Sequence, residues 1–94
     1  MNTTLSMQSR PRRAAEYQLQ AVDGELLLFS PAQTQILYCN ETASLIWELC
    51  DGQRTVQAIV TLLAEAFPEA GAALEGDVLA TLQRLLDHAA LDLL

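Results

Sequence analysis

The chain contains no lysine, and its basic residues are five arginines set against twelve Asp and Glu. Arg10, Arg12 and Arg13 all fall near the start. From residue 14 onward two arginines, Arg54 and Arg84, face all twelve carboxylates, a net of about −10. A nucleic-acid binder needs the opposite sign to displace counterions from phosphates, so DNA or RNA is not the expected partner. Cysteine is scarce too: Cys39 and Cys50 cannot build a disulfide scaffold, and neither has Cys or His neighbours at metal-ligand spacing. Both read as reduced, partly buried thiols. The four glycines stand apart, so no Gly-rich loop cradles a phosphate. No apolar run reaches the roughly 18 residues of a membrane span or the core of a signal peptide, and a cytoplasmic protein is expected. The single His, His88, lies in a leucine-rich helical run with no nucleophile held beside it. The carboxylates are spread over helix faces and caps and read as solvated surface charge. No enzyme, cofactor or metal is expected.

What is present suffices for one domain of 94 residues, 51% apolar, with a thin core. Residues 1–14 are polar around Pro11 and predict a flexible tail, leaving residues 15–94 as the folded unit. Tyr17 to Val22 alternates weakly, with Tyr17, Leu19 and Ala21 on one side, the period of a half-buried strand. Asp23-Gly24 then signals a two-residue hairpin, because a type I′ turn needs positive φ at both central residues. Glu25 to Ser30 predicts a second strand, ended by Pro31, which cannot donate to a ladder. Thr34 to Cys39 predicts a third, with Ile36 and Tyr38 on one face and Gln35 and Leu37 on the other.

The period then changes from 2 to 3.6. Asn40 is a good N-cap with Glu41 in the first turn, and Ala43, Ile46, Trp47 and Cys50 form one apolar stripe. Asp51-Gly52 ends that helix. Thr55 caps a second, whose stripe is Val56, Ile59, Val60, Leu63, Ala66 and Phe67, and Pro68 stops it. Glu69 to Gly76 reads as a connection of small residues. Asp77 is expected to cap a third helix running to about Ala89. Val78, Leu82, Leu85 and Ala89 make its stripe, widened by Leu79 and Leu86. That wide face is either core, a homodimer contact or one wall of a groove. Leu91–Leu94 is an apolar tail expected to dock on the core or beside the sheet. The fold class is α+β: a three-stranded antiparallel sheet followed by three helices.

The run Asn40-Glu41-Thr42-Ala43, then Ile46-Trp47, Leu49-Cys50-Asp51-Gly52 and Thr55-Val56, resembles the PqqD-like family. Gly76-Asp77-Val78 before a Leu-rich helix and the Leu-Leu ending are also similar. The resemblance covers about Glu16 to Leu94. Cys39 stands where the family more often has Leu, and residues 71–75 are undistinctive. The resemblance implies a winged helix-turn-helix-like domain, a RiPP recognition element. Such a domain binds the leader of a ribosomally made precursor peptide, in PQQ biosynthesis or another modified-peptide pathway. It presents that peptide to a modifying enzyme such as a radical SAM protein or a cyclase. It also implies that the leader adds as a strand to the third strand, against the third helix.

The residues fit such a mechanism. A short third strand after a Pro break is an edge candidate, with unpaired N–H and C=O groups to offer. The expected contacts are Thr34, Gln35, Ile36, Leu37 and Tyr38 on the strand, with Asp77, Val78, Leu82 and Leu85 on the helix. Thr81 and Arg84 would form a polar rim, with Arg84 either pairing a leader carboxylate or serving as a surface helix charge. Trp47 reads as core. Other readings are a homodimerising structural subunit and a winged-helix DNA binder, the latter opposed by charge. A phosphopantetheine carrier is opposed by the strands and by the lack of an Asp before Ser44.

Overall fold

Pro11–Arg13 forms a strand, β1, where the sequence predicts a tail. In the computed structural model, which describes residues 5–23, 25–31 and 35–94, it pairs antiparallel with Leu91–Leu93, the last strand of the chain. Pro11 and Ala14 are buried, and Arg12 reaches Asp92 at 3.5 Å. The backbone further upstream caps α2 (Val56–Ala66), because Ser9 and Met7 carbonyls accept from the N–H groups of Val56 and Gln57. Those are among the first amides of a helix, which have no partner within it. Residues 5–14 are therefore part of the domain, and with them the arginines that offset some of its negative charge.

The other sheet has the order β2 (Gln18–Val22), β3 (Glu25–Ser30), β4 (Gln35–Cys39), antiparallel throughout. Val22 is opposite Glu25, so two residues turn the first hairpin, and Asp23 has the φ of +51° that such a turn demands. Gly24 lies outside the described residues. Leu28, Leu37 and Cys39 are buried on the inner face, with Leu28 opposite Leu37 and Leu26 opposite Cys39. The opposite face holds Leu27 and Phe29, half-buried, and Ile36 and Tyr38, exposed. The period-2 reading of this strand agrees with that division.

Three helices cover the inner face. In α1 (Glu41–Leu49) the Asn40 side chain accepts from the Ala43 N–H at 2.7 Å, and Ala43, Ile46 and Trp47 are buried with Cys50 just beyond. In α2 the Thr55 hydroxyl accepts from Ala58 at 3.1 Å, and the helix ends before Pro68, as expected. Its stripe stops at Leu63, however, with Ala66 and Phe67 exposed. After a single 3-10 turn at Pro68–Ala70 comes α3 (Ala73–Asp87). This helix begins four residues before the expected cap. Asp77 lies inside it, and burial of Leu74 rather than a capping side chain holds the first turn.

The C-terminal end of α3 is a Schellman motif. Ala89 takes φ +58°, its N–H donates to Leu86, and the Ala90 N–H donates to Leu85. The motif turns the chain into β5 (Leu91–Leu93). Ala90 sits at a junction where its carbonyl accepts from the Ala14 amide at 3.0 Å and from Trp47 Nε1 at 3.2 Å. The Arg13 guanidinium lies 5.8 Å over the Trp47 ring and donates to the Glu48 carbonyl. Gly52, at φ +80°, donates to Pro11 where β1 crosses, and a Cβ there would stand 3.0 Å from Leu94 Cδ1.

Candidate functional site

β4 has β3 on one side and, among the described residues, no strand on the other. The Tyr38 carbonyl accepts from Arg84 Nη2 of α3 at 2.5 Å. That carbonyl is therefore turned away from β3, toward the helix. Backbone groups of one strand residue point to the same side and alternate along the strand. The N–H and C=O of Ile36 and Tyr38 thus line the open edge, while Leu37 and Cys39 bond inward to β3.

On α3, Asp77, Thr81 and Arg84 stand at i, i+4 and i+7, one stripe, from which Arg84 reaches the β4 edge. Asp77 and Thr81 join Asn40, Thr42 and Ala80 around an open cavity of about 340 Å³. Asn40, Thr42 and Ala80 are not marked out by the sequence, because a cap residue and a small helix residue carry no local sign of lining a cavity.

The expected site residues separate into two groups. Ile36 is 49% exposed and Tyr38 67%, on the open edge that Arg84 reaches, while Asp77 and Thr81 line the cavity next to Asn40. Leu37 is buried beneath it. Val78, Leu82 and Leu85 are 0–1% exposed and belong to the hydrophobic core, so they are not free to line a groove. The apolar face of α3 is spent on the domain itself: a helix packed on so thin a sheet needs its whole stripe for the core. Gln35 lies on β4, and Thr34 is outside the described residues.

Burial pushes the Cys39 thiol up despite nearby Arg84, and pushes the Cys50 thiol to about 12. A thiol held protonated is a poor nucleophile. Among the described residues no three His, Cys, Asp or Glu gather to hold a metal ion, and no helix is long and apolar enough to cross a membrane.

The family model described as Coenzyme PQQ synthesis protein D (PqqD) matches residues 25–91. The PqqA binding protein of Klebsiella pneumoniae is 41% identical over 70 residues, which cover 71% of this chain and 72% of the relative. The protein of the same name from strain 342 has the same identity and coverage. No solved structure matches.

Proposed function

Because the chain belongs to the PqqD family, we propose that it binds the leader of a ribosomally made precursor peptide by strand addition and presents it to a modifying enzyme. The observation that carries this reading is the open edge of β4, with Ile36 and Tyr38 directing backbone groups toward α3. The name PqqA binding protein on the relatives supports a precursor-peptide partner, and the family description supports PQQ synthesis as the pathway. The enzyme that follows is a radical SAM protein or a cyclase, and the hand-over takes place in the cytoplasm.

Strand addition gives affinity through main-chain bonds and specificity through alternate side chains. An incoming strand bonds the backbone of Ile36 and Tyr38. It displaces the Arg84 guanidinium from the Tyr38 carbonyl, exchanging one hydrogen bond for another at small net cost. Every second peptide side chain then lies over Ile36 and Tyr38, extended by Leu27 and Phe29 on the neighbouring strand. The alternate ones meet Asp77, Thr81 and Arg84. Peptide specificity therefore rests on an apolar outer patch and a polar inner wall.

Tyr38→Pro is the direct test. It removes an N–H that faces the open edge and leaves the bonds between β3 and β4 in place, the position at which a sheet tolerates proline. Titration with the leader of a neighbouring precursor, followed by calorimetry, is expected to show binding at tens of micromolar or better, weakened about tenfold by the substitution. Unchanged affinity in a folded variant overturns strand addition at β4.

A further inference from the structure

A second groove opens between the β2–β3 hairpin and α1, bordering the first cavity at Thr42. Leu19 of β2, Leu26 of β3 and Leu45 of α1 form its apolar wall, and Phe67, 38% exposed, closes one side around about 340 Å³. Two features show that this wall is not simply incomplete core. Ser44, only 4% exposed, lines the groove with its hydroxyl buried and without a hydrogen-bond partner among the described residues. A buried hydroxyl in that state is destabilising until some group bonds it. Glu41 and Glu48, at i and i+7 on α1, also line the groove, and neither makes an ion pair among the described residues.

An apolar slot between two carboxylates, with an unbonded hydroxyl in its wall, suits an apolar side chain carried between cationic ones, its backbone within reach of Ser44. A second copy of this chain is a poor source of such a segment. It has no lysine. Of its five arginines, Arg12 pairs with Asp92, Arg13 covers Trp47, Arg54 pairs with Asp51 and Arg84 holds the Tyr38 carbonyl, which leaves Arg10, too few for a segment with a cation on each side. We propose that this groove docks a segment of another protein in which a Leu or Phe side chain is flanked by Arg or Lys. The groove borders the cavity beside Asp77 and Thr81 through Thr42 but includes neither Ile36 nor Tyr38, and its proposed role rests in part on the peptide-presenting reading. A chain that passes a peptide onward would need a surface of this kind, one left free while β4 is occupied.

The test is a ¹⁵N NMR titration of the full chain with the synthetic peptide acetyl-Gly-Arg-Leu-Phe-Arg-Gly-amide, beside a control in which Ser-Ser replaces Leu-Phe. The expected result is saturable shifts at Leu19, Leu26, Ser44 and Leu45 with the first peptide and not the second. The double change Glu41→Gln and Glu48→Gln should weaken binding about fivefold. Ser44→Ala should weaken it about threefold while leaving the fold intact. Equal shifts with both peptides, spread over all carboxylates, mean general attraction to an acidic protein and overturn the proposal. So do shifts confined to β4 and α3, or groove shifts that follow protein concentration without peptide, which would mark a second copy as the occupant. Tyr38→Pro should leave this titration unchanged, so failure here and failure of the leader-binding reading are told apart.

Discussion

The described residues form two short sheets, and the β1–β5 end and the β4 edge are treated in opposite ways. At the β1–β5 end, backbone groups from residues far apart in sequence are bonded to one another: Arg13 to Cys50, Ala14 to Ala90, Gly52 to Pro11 and Leu94 to Arg10. Trp47 and Arg13 lie over the junction. At β4 the backbone is left open, one carbonyl is held by a displaceable guanidinium, and two large apolar side chains stand in solvent. A closed junction supplies stability, and an open edge supplies a place to bind. Because the domain is small, the closed end carries much of the stability that lets the other end stay open.

The largest expected effect is on the closed end. Trp47→Ala removes a nearly buried indole and its bond to Ala90, and should cost about 3–5 kcal/mol by urea unfolding, enough to unfold much of the protein at 37 °C. Cys50 gives a pH signature of the same end. Its thiol titrates near 12 in the fold against an ordinary 9.0, so above pH 9 the unfolded chain loses this proton first. The Cys50 contribution to stability should then fall with rising pH by about 1.4 kcal/mol per unit up to about pH 12, and Cys50→Ala removes that part of the slope while leaving the parts from Cys39 and Tyr17. Gly52→Ala should cost about 1–2 kcal/mol, from its positive φ and the contact with Leu94, with leader affinity unchanged. If leader affinity drops in parallel with stability, the two ends are not independent. The smallest effect has the opposite sign: Ala89→Gly relieves a left-handed alanine and should stabilise by about 0.5–1 kcal/mol, raising Tm by a few degrees. Tyr38→Pro completes the contrast, with a large effect on binding and little on unfolding.

Much of this was legible in the residues. The caps at Asn40 and Thr55, the turn at Asp23, the stop at Pro68 and the alternation of Ile36 and Tyr38 follow from the residues alone, because each depends on neighbours a few residues away. The start of α3 does not, since no capping side chain marks it and burial of Leu74 sets it instead. Nor does β1, whose polar sequence is held by a partner strand about eighty residues on. The candidate site divides along the same line. An edge strand beside a helix could be expected from element order, and Arg84 stood out as one of few cations. That Val78, Leu82 and Leu85 belong to the core rather than to a groove depends on what covers them.

Charge, local turns and caps, the period of each element and the family are all carried by the residues in order. Which strand edge is closed and which stays open, where α3 spends its apolar face, and the meeting of Leu19, Leu26, Ser44 and Glu48 were decided only by the tertiary structure. The physical reason is that local preferences act over a turn or two of chain, whereas burial and edge pairing belong to residues that only folding brings together.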